Sequence, residues 1–123
     1  SAPCGNNGYT DGISWPACQP DCFSIGATKP GAHAAHLDRF TNTDLLVAAA
    51  ATSSSNANAA ACSMILREAI DVGAYPWQDH GPTLADAMLA IFQQTGVSIE
   101  DPLVSATFHE LDLLAAVGHV LGG

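Results

Sequence analysis

Positive charge is what this chain has least of. Lys29, Arg39 and Arg67 are its only Lys or Arg in 123 residues, against 12 Asp and Glu, a formal net charge of -9. Three cations cannot neutralise a run of phosphates, which excludes nucleic-acid binding. Attraction to an anionic membrane surface is excluded on the same ground. Charge of either sign is scarce as well, at 12% of residues, about half of the ~25% usual for soluble domains. A surface so poor in ions relies on Ser, Thr, Asn and Gly for solubility or is partly covered by a partner. Several motifs are missing too. There is no G-x-S-x-G for serine chemistry, no Gly-rich loop followed by Lys for phosphate, and no N-x-[ST] sequon. The uncharged stretch 45–66 has the length of a membrane span, but Ser53, Ser54, Ser55, Asn56 and Asn58 at its centre are too polar for hydrocarbon.

What is present is an apolar chain, 48% hydrophobic, of a length typical of one domain with one core. It holds four cysteines, Cys4, Cys18, Cys22 and Cys62. An even count in a short chain opening on Ser-Ala-Pro predicts an exported domain with two disulfides, in an extracellular, periplasmic or lumenal compartment. Cys62 is expected to bond one of the three N-terminal cysteines, and a loop of ~40 residues closed in this way would contribute about 3–4 kcal/mol.

Residues 1–31 carry three of the four Cys, four of the seven Pro and five of the eleven Gly. Residues 1–40 therefore read as an irregular, disulfide-tied segment, and 41–123 as a helical bundle. Thr41-Asn42-Thr43-Asp44 has the form of a capping signal ahead of Leu45, with a break expected near residues 54–56. A second helix is predicted over 57–72, with Cys62, Ile65, Leu66, Ala69 and Ile70 on its inner stripe and Gly73 as its cap. A third begins at Pro82, buries Leu84, Met88, Ile91 and Phe92, and ends at Gly96. Asp101-Pro102 opens the last, which runs to about Leu121. The expected fold is all-α, a bundle of about four helices in a single domain.

The candidate chemistry lies with the histidines. His33 and His36 have helical i, i+3 spacing, the spacing with which two imidazoles share a metal ion. In the loop from Tyr75 to Pro82, Asp79 and His80 form an adjacent carboxylate–imidazole pair, the second half of a general-base arrangement. Tyr75 and Trp77 in that loop, and Trp15 beside Pro16, are aromatic anchors for binding a partner or for packing. His109, Asp112 and His119 read as a solvated helix face, and no cofactor is implied. Two functions compete. The first is an exported module acting by binding or assembly, as a structural or accessory subunit with a protein partner or by self-association. It requires an exposed apolar patch. The second is a small secreted hydrolase using Asp79 and His80 or a metal at His33 and His36. A small apolar ligand carried near Met64, Met88 and Phe92 ranks third. Residues 41–123 hold nine acids and one base, a net -8, so mild acidification is expected to ease self-repulsion and favour association.

Overall fold

The computed structural model describes residues 1–13, 15, 17–19 and 22–122. Pro16, the neighbour of Trp15 in its expected anchor, and Gly123 lie outside them. The architecture is mixed α/β, a six-stranded, mostly parallel sheet with three helices, and not the expected helical bundle. Strands β1 (Ala2–Pro3), β2 (Ser24–Thr28), β3 (Ala35–His36) and β4 (Leu45–Ala48) precede helix α1 (Thr52–Gly73). A 3-10 turn (Trp77–Asp79), α2 (Leu84–Thr95), β5 (Val97–Asp101), β6 (Ala106–Glu110) and α3 (Leu113–Val120) follow. The sheet order is β1-β2-β4-β6-β5. The β1–β2, β2–β4 and β4–β6 pairs are parallel, and β5–β6 is antiparallel. Along its other edge β2 is shared, with β1 at Ser24 and Ile25 and antiparallel β3 at Ala27 and Thr28.

Alternation along the strands separates two cores. Ile25, Leu45 and Val47 point to the helices and join Leu66, Ile70, Ile91, Phe92, Ala116 and Val120. Burying each large side chain there is worth about 1.5–3 kcal/mol. Leu46 points the other way, to a smaller cluster with Ile99, Val104 and Phe108, against which Phe40 and Ala35 pack. No helical residue belongs to this second cluster. Gly26 is required on that face, because a Cβ there would stand 2.7 Å from Leu46 Cδ2. Among the described residues no helix is long and apolar enough to cross a membrane.

Each departure from the sequence reading has a local cause. Leu45–Ala48 is a buried strand because so short an apolar run, with β-branched Val47, serves a central strand as well as a helix. The capping signal before it is used otherwise: Thr43 Oγ1 accepts Phe40 N, and Asp44 Oδ2 accepts Ser24 N at 2.8 Å. Helix α1 runs through the Ser/Asn stretch without a break. Its first turn is capped from a distance, where Asn6 Oδ1 accepts Thr52 N at 2.8 Å, and it is tied to β4 where Ser55 Oγ donates to Val47 O. Ile65 faces solvent instead of the inner stripe, and the helix is closed by Ala74 in the left-handed region (φ +49°).

The expected last helix is a hairpin followed by a short helix. Asp101 Oδ1 accepts Leu103 N, turning the chain at Pro102 instead of capping a helix, and Ser105 (φ +56°) completes the turn. Helix α2 forms with the predicted stripe, but it begins at Leu84 and not at Pro82. Thr83 is its cap, with its side chain accepting from Asp86 N, and the chain leaves it at Gly96. A Cβ on Gly96 would lie 2.6 Å from Glu110 O.

The predicted disulfides are also overturned: Cys4, Cys18, Cys22 and Cys62 are all free thiols. Buried Cys4 lies 3.7 Å from Thr43 Oγ1, and Cys62 packs against the helical core as a partly buried hydrophobe. Exposed Cys18 has no sulfur partner. The argument for an oxidising compartment thus loses its disulfides.

Candidate functional site

Three strands that run parallel end within two residues of one another. Thr28 closes β2, Ala48 closes β4 and Glu110 closes β6. The carboxyl ends of parallel strands are where open α/β sheets place ligand sites, because the chain leaves the sheet there in loops. Glu110 projects onto the helix-free face and is buried, its side chain 7% exposed. Its Oε1 accepts the Thr28 hydroxyl, and His33 Nδ1 lies 2.6 Å from its Oε2. The tight connection from β2 to β3 delivers that imidazole. Lys29 N bonds Ala34 O at 2.8 Å, and His33 takes a left-handed backbone (φ +49°).

A carboxylate can only accept, so His33 donates from Nδ1 and keeps Nε2 as a free base when neutral. The ring is 64% exposed. A buried carboxylate that orients an exposed imidazole is half of a triad, without its nucleophile. The ring opens onto a groove of ≈ 460 Å³, lined also by Arg39, Val97, Ser98 and Asp101. Its floor is fixed by a buried ion pair, with Arg39 Nε donating to Asp101 Oδ2 at 2.6 Å and Nη2 to Oδ1 at 3.4 Å.

His36, expected to share a metal with His33, donates from Nε2 to Ala49 O at 2.8 Å. The two imidazoles are therefore held by different partners. Among the described residues no three His, Cys, Asp or Glu side chains form a metal-binding group.

A second cluster gathers around Tyr75. His80 Nε2 lies 2.7 Å from the Tyr75 hydroxyl, and His119 Nε2 lies 3.0 Å from it. The 3-10 turn, in which His80 N bonds Trp77 O at 2.9 Å, folds His80 back onto Tyr75, with ring centroids 5.6 Å apart. His80 thus takes Tyr75, and not Asp79, as its partner. Asp79 is exposed, while Tyr75 and Trp77 are half-buried against the helical core. Trp15 is 75% exposed. The other residues of the expected polar helix face are scattered. His109 is in β6, and Asp112 caps α3 by accepting Ala115 N at 3.0 Å.

The third feature is apolar. Met64 and Val72 on α1 are each 75% exposed, and Leu114 on α3 is 85% exposed. Met64 and Val72, with Ile65, Ala69 and Leu121, border a groove of ≈ 500 Å³ whose one charged wall residue among those described is Glu68, and Leu114 stands outside it. Leu121 follows directly after α3 as its C-cap. Sequence reasoning missed Glu110 as the partner of His33 and His119 as the partner of Tyr75, since 77 and 44 residues separate them. Comparison with known proteins finds no matching family model, no matching curated protein and no matching solved structure.

Proposed function

We propose that the protein acts by binding, as a structural or accessory subunit of a larger assembly, through the face shared by α1 and α3. The observation that carries this reading is the adjoining exposure of Met64, Ile65, Val72 and Leu121 around one groove, where α1 meets the end of α3, since clustered apolar surface marks interaction sites. The occupant is a protein partner with an apolar helical ridge bordered by basic residues. Two copies carrying -9 each repel one another, whereas a basic border is drawn to this chain and to Glu68 in the groove.

The test is a titration of the chain with two amphipathic helical peptides sharing a leucine face, one bordered by Lys and one by Glu. Binding of the Lys peptide in the micromolar range, weakened at least tenfold by Val72→Asp with Leu121→Asp, supports the reading. Equal binding of both peptides, or insensitivity to the substitutions, overturns it. Self-association abolished by the same pair would make the partner a second copy.

Hydrolysis is the second reading, favoured by the bond between His33 and Glu110 and moved there from Asp79 and His80. Cleavage of p-nitrophenyl esters that is lost in Glu110→Gln supports it. A rate no greater than free imidazole gives removes it.

A further inference from the structure

The Tyr75 cluster has a feature that packing does not require: two imidazole nitrogens converge on one phenol oxygen. A phenol has one proton to give. Tyr75 can donate to one ring, and the other ring must then be an Nε2–H tautomer that donates to Tyr75. The three groups come from three elements: the chain just after α1, the end of the 3-10 turn and the last turn of α3. Their ring centroids form a nearly equilateral triangle, with sides of 5.6, 5.8 and 6.0 Å. All three residues are half-buried, so none of them lies in the fully enclosed core.

We propose that His80, His119 and Tyr75 form a binding site for a borderline divalent transition-metal ion of the Zn²⁺ class. Nitrogen and oxygen donors about 2.0–2.1 Å from tetrahedral zinc stand roughly 3.3 Å from one another. The two distances to the phenol oxygen, 2.7 and 3.0 Å, approach that spacing. Imidazole is the ligand such ions prefer among those present, and three protein ligands leave a fourth position for water or a substrate group. No sulfur or carboxylate is needed.

Binding exchanges protons for the metal. Both histidines ligate through unprotonated Nε2, so the ring that donates to Tyr75 moves its proton to Nδ1. The phenol loses its proton to the buffer and becomes a phenolate ligand. The ion then ties the loop after α1 to α3, so metal binding stiffens the connection. The site is separate from His33 and His36, which have other partners.

Calorimetric titration of the purified chain with Zn²⁺ tests this, with Co²⁺ as the spectroscopic probe. The expected result is one equivalent bound in the micromolar range, with protons released to the buffer and visible Co²⁺ absorption of a four-coordinate site. His80→Ala and His119→Ala should each weaken binding at least tenfold. Tyr75→Phe should abolish the phenol's share of the released protons, while His33→Ala with His36→Ala should change nothing. Nitrogen NMR of the unsubstituted chain reads the same site without mutation, since Zn²⁺ must move the Nε2 resonances of His80 and His119 and leave those of His33 and His36. No saturable binding up to millimolar Zn²⁺, or binding that follows His33 and His36, overturns the proposal. A hydrogen-bonded cluster without metal affinity would give the first of those results.

Discussion

The two faces of the sheet are built on different principles. The face under the helices is filled chiefly by Ile25, Leu45, Val47, Leu66, Ile91 and Phe92 and their neighbours. The open face holds a small apolar cluster around Leu46 and Phe108, ringed by polar contacts. These are Glu110 with Thr28 and His33, Arg39 with Asp101, Tyr9 N with Asp38 Oδ1 at 2.9 Å, and Cys4 with Thr43. The helical face tolerates imprecision, because dispersion and burial act in every direction. The open face does not, because each polar atom removed from water must meet a partner. Asp38 Oδ2 is a buried oxygen there that meets none among the described residues. Stability is thus shared between the faces, while the buried ion pair and the buried Cys4 thiol belong to the open one.

The comparison breaks first at the buried ion pair. Asp101→Ala leaves Arg39 charged and unpaired and should cost about 3–5 kcal/mol in urea unfolding. The double variant Arg39→Met with Asp101→Asn, which keeps an acceptor for Leu103 N, should recover most of that loss. A single-variant loss below ~1 kcal/mol would show the pair to be solvated, as exposed pairs are. On the helical face Ile91→Ala, which removes a fully buried side chain, should cost about 2–5 kcal/mol, read by the same denaturation. Unlike the ion pair, it should show no rescue by a charge-neutral partner and no dependence on salt.

Alkaline pH sharpens the contrast. Burial pushes the Cys4 thiol up from 9.0 to about 11, with Thr43 opposing and Asp38 and Asp44 adding to the shift. The folded chain therefore holds a proton that the unfolded chain loses above about pH 9. The resulting stability is complete below that pH and falls as pH rises towards 11, by about 2–3 kcal/mol in total. Thermal melts at pH 8 and pH 10.5 should show the loss, and Cys4→Ala should flatten it. Cys18, exposed, should react with iodoacetamide in the folded chain while Cys4 waits for unfolding.

A smaller effect is expected at Glu110→Gln. It keeps an acceptor for Thr28 but withdraws the negative charge from His33, for a loss of about 1–2 kcal/mol. The least is expected at Leu114→Asp, which should leave the melting temperature nearly unchanged, within ~0.5 kcal/mol. A large loss there would mean that Leu114 is not free on the surface.

What the sequence discloses follows the range of the forces involved. Helix α2 is legible because its stripe and Gly96 are local, although Pro82 reads as its first residue, ahead of the Thr83 cap. The later part of α1 is legible for the same reason. Its start is not, because Asn6 supplies the cap from 46 residues away. Phe108 and Leu111 suit a helical stripe as well as a strand, and the Asx turn at Asp101 decides between them. Strand β2 is hidden by its composition, since Gly26 and Ala27 carry no signal of a central buried strand. The cysteine count says nothing of which sulfurs approach. At the candidate sites His33, Tyr75 and His80 stand out by type, while Glu110 and His119 become relevant only through tertiary distance.

The shared edge of β2 has a consequence for how the chain can associate. Two strands of two residues each, β1 and β3, divide the edge that a long free strand would otherwise offer as a template for pairing. At the opposite margin, β5 is five residues long, carries Glu100 and runs directly into Pro102, features that discourage the addition of another strand. Neither margin invites growth by backbone hydrogen bonding into fibres. On the proposed reading, assembly would rest instead on side chains of the helical face, which is the surface that the paired substitutions Val72→Asp and Leu121→Asp alter.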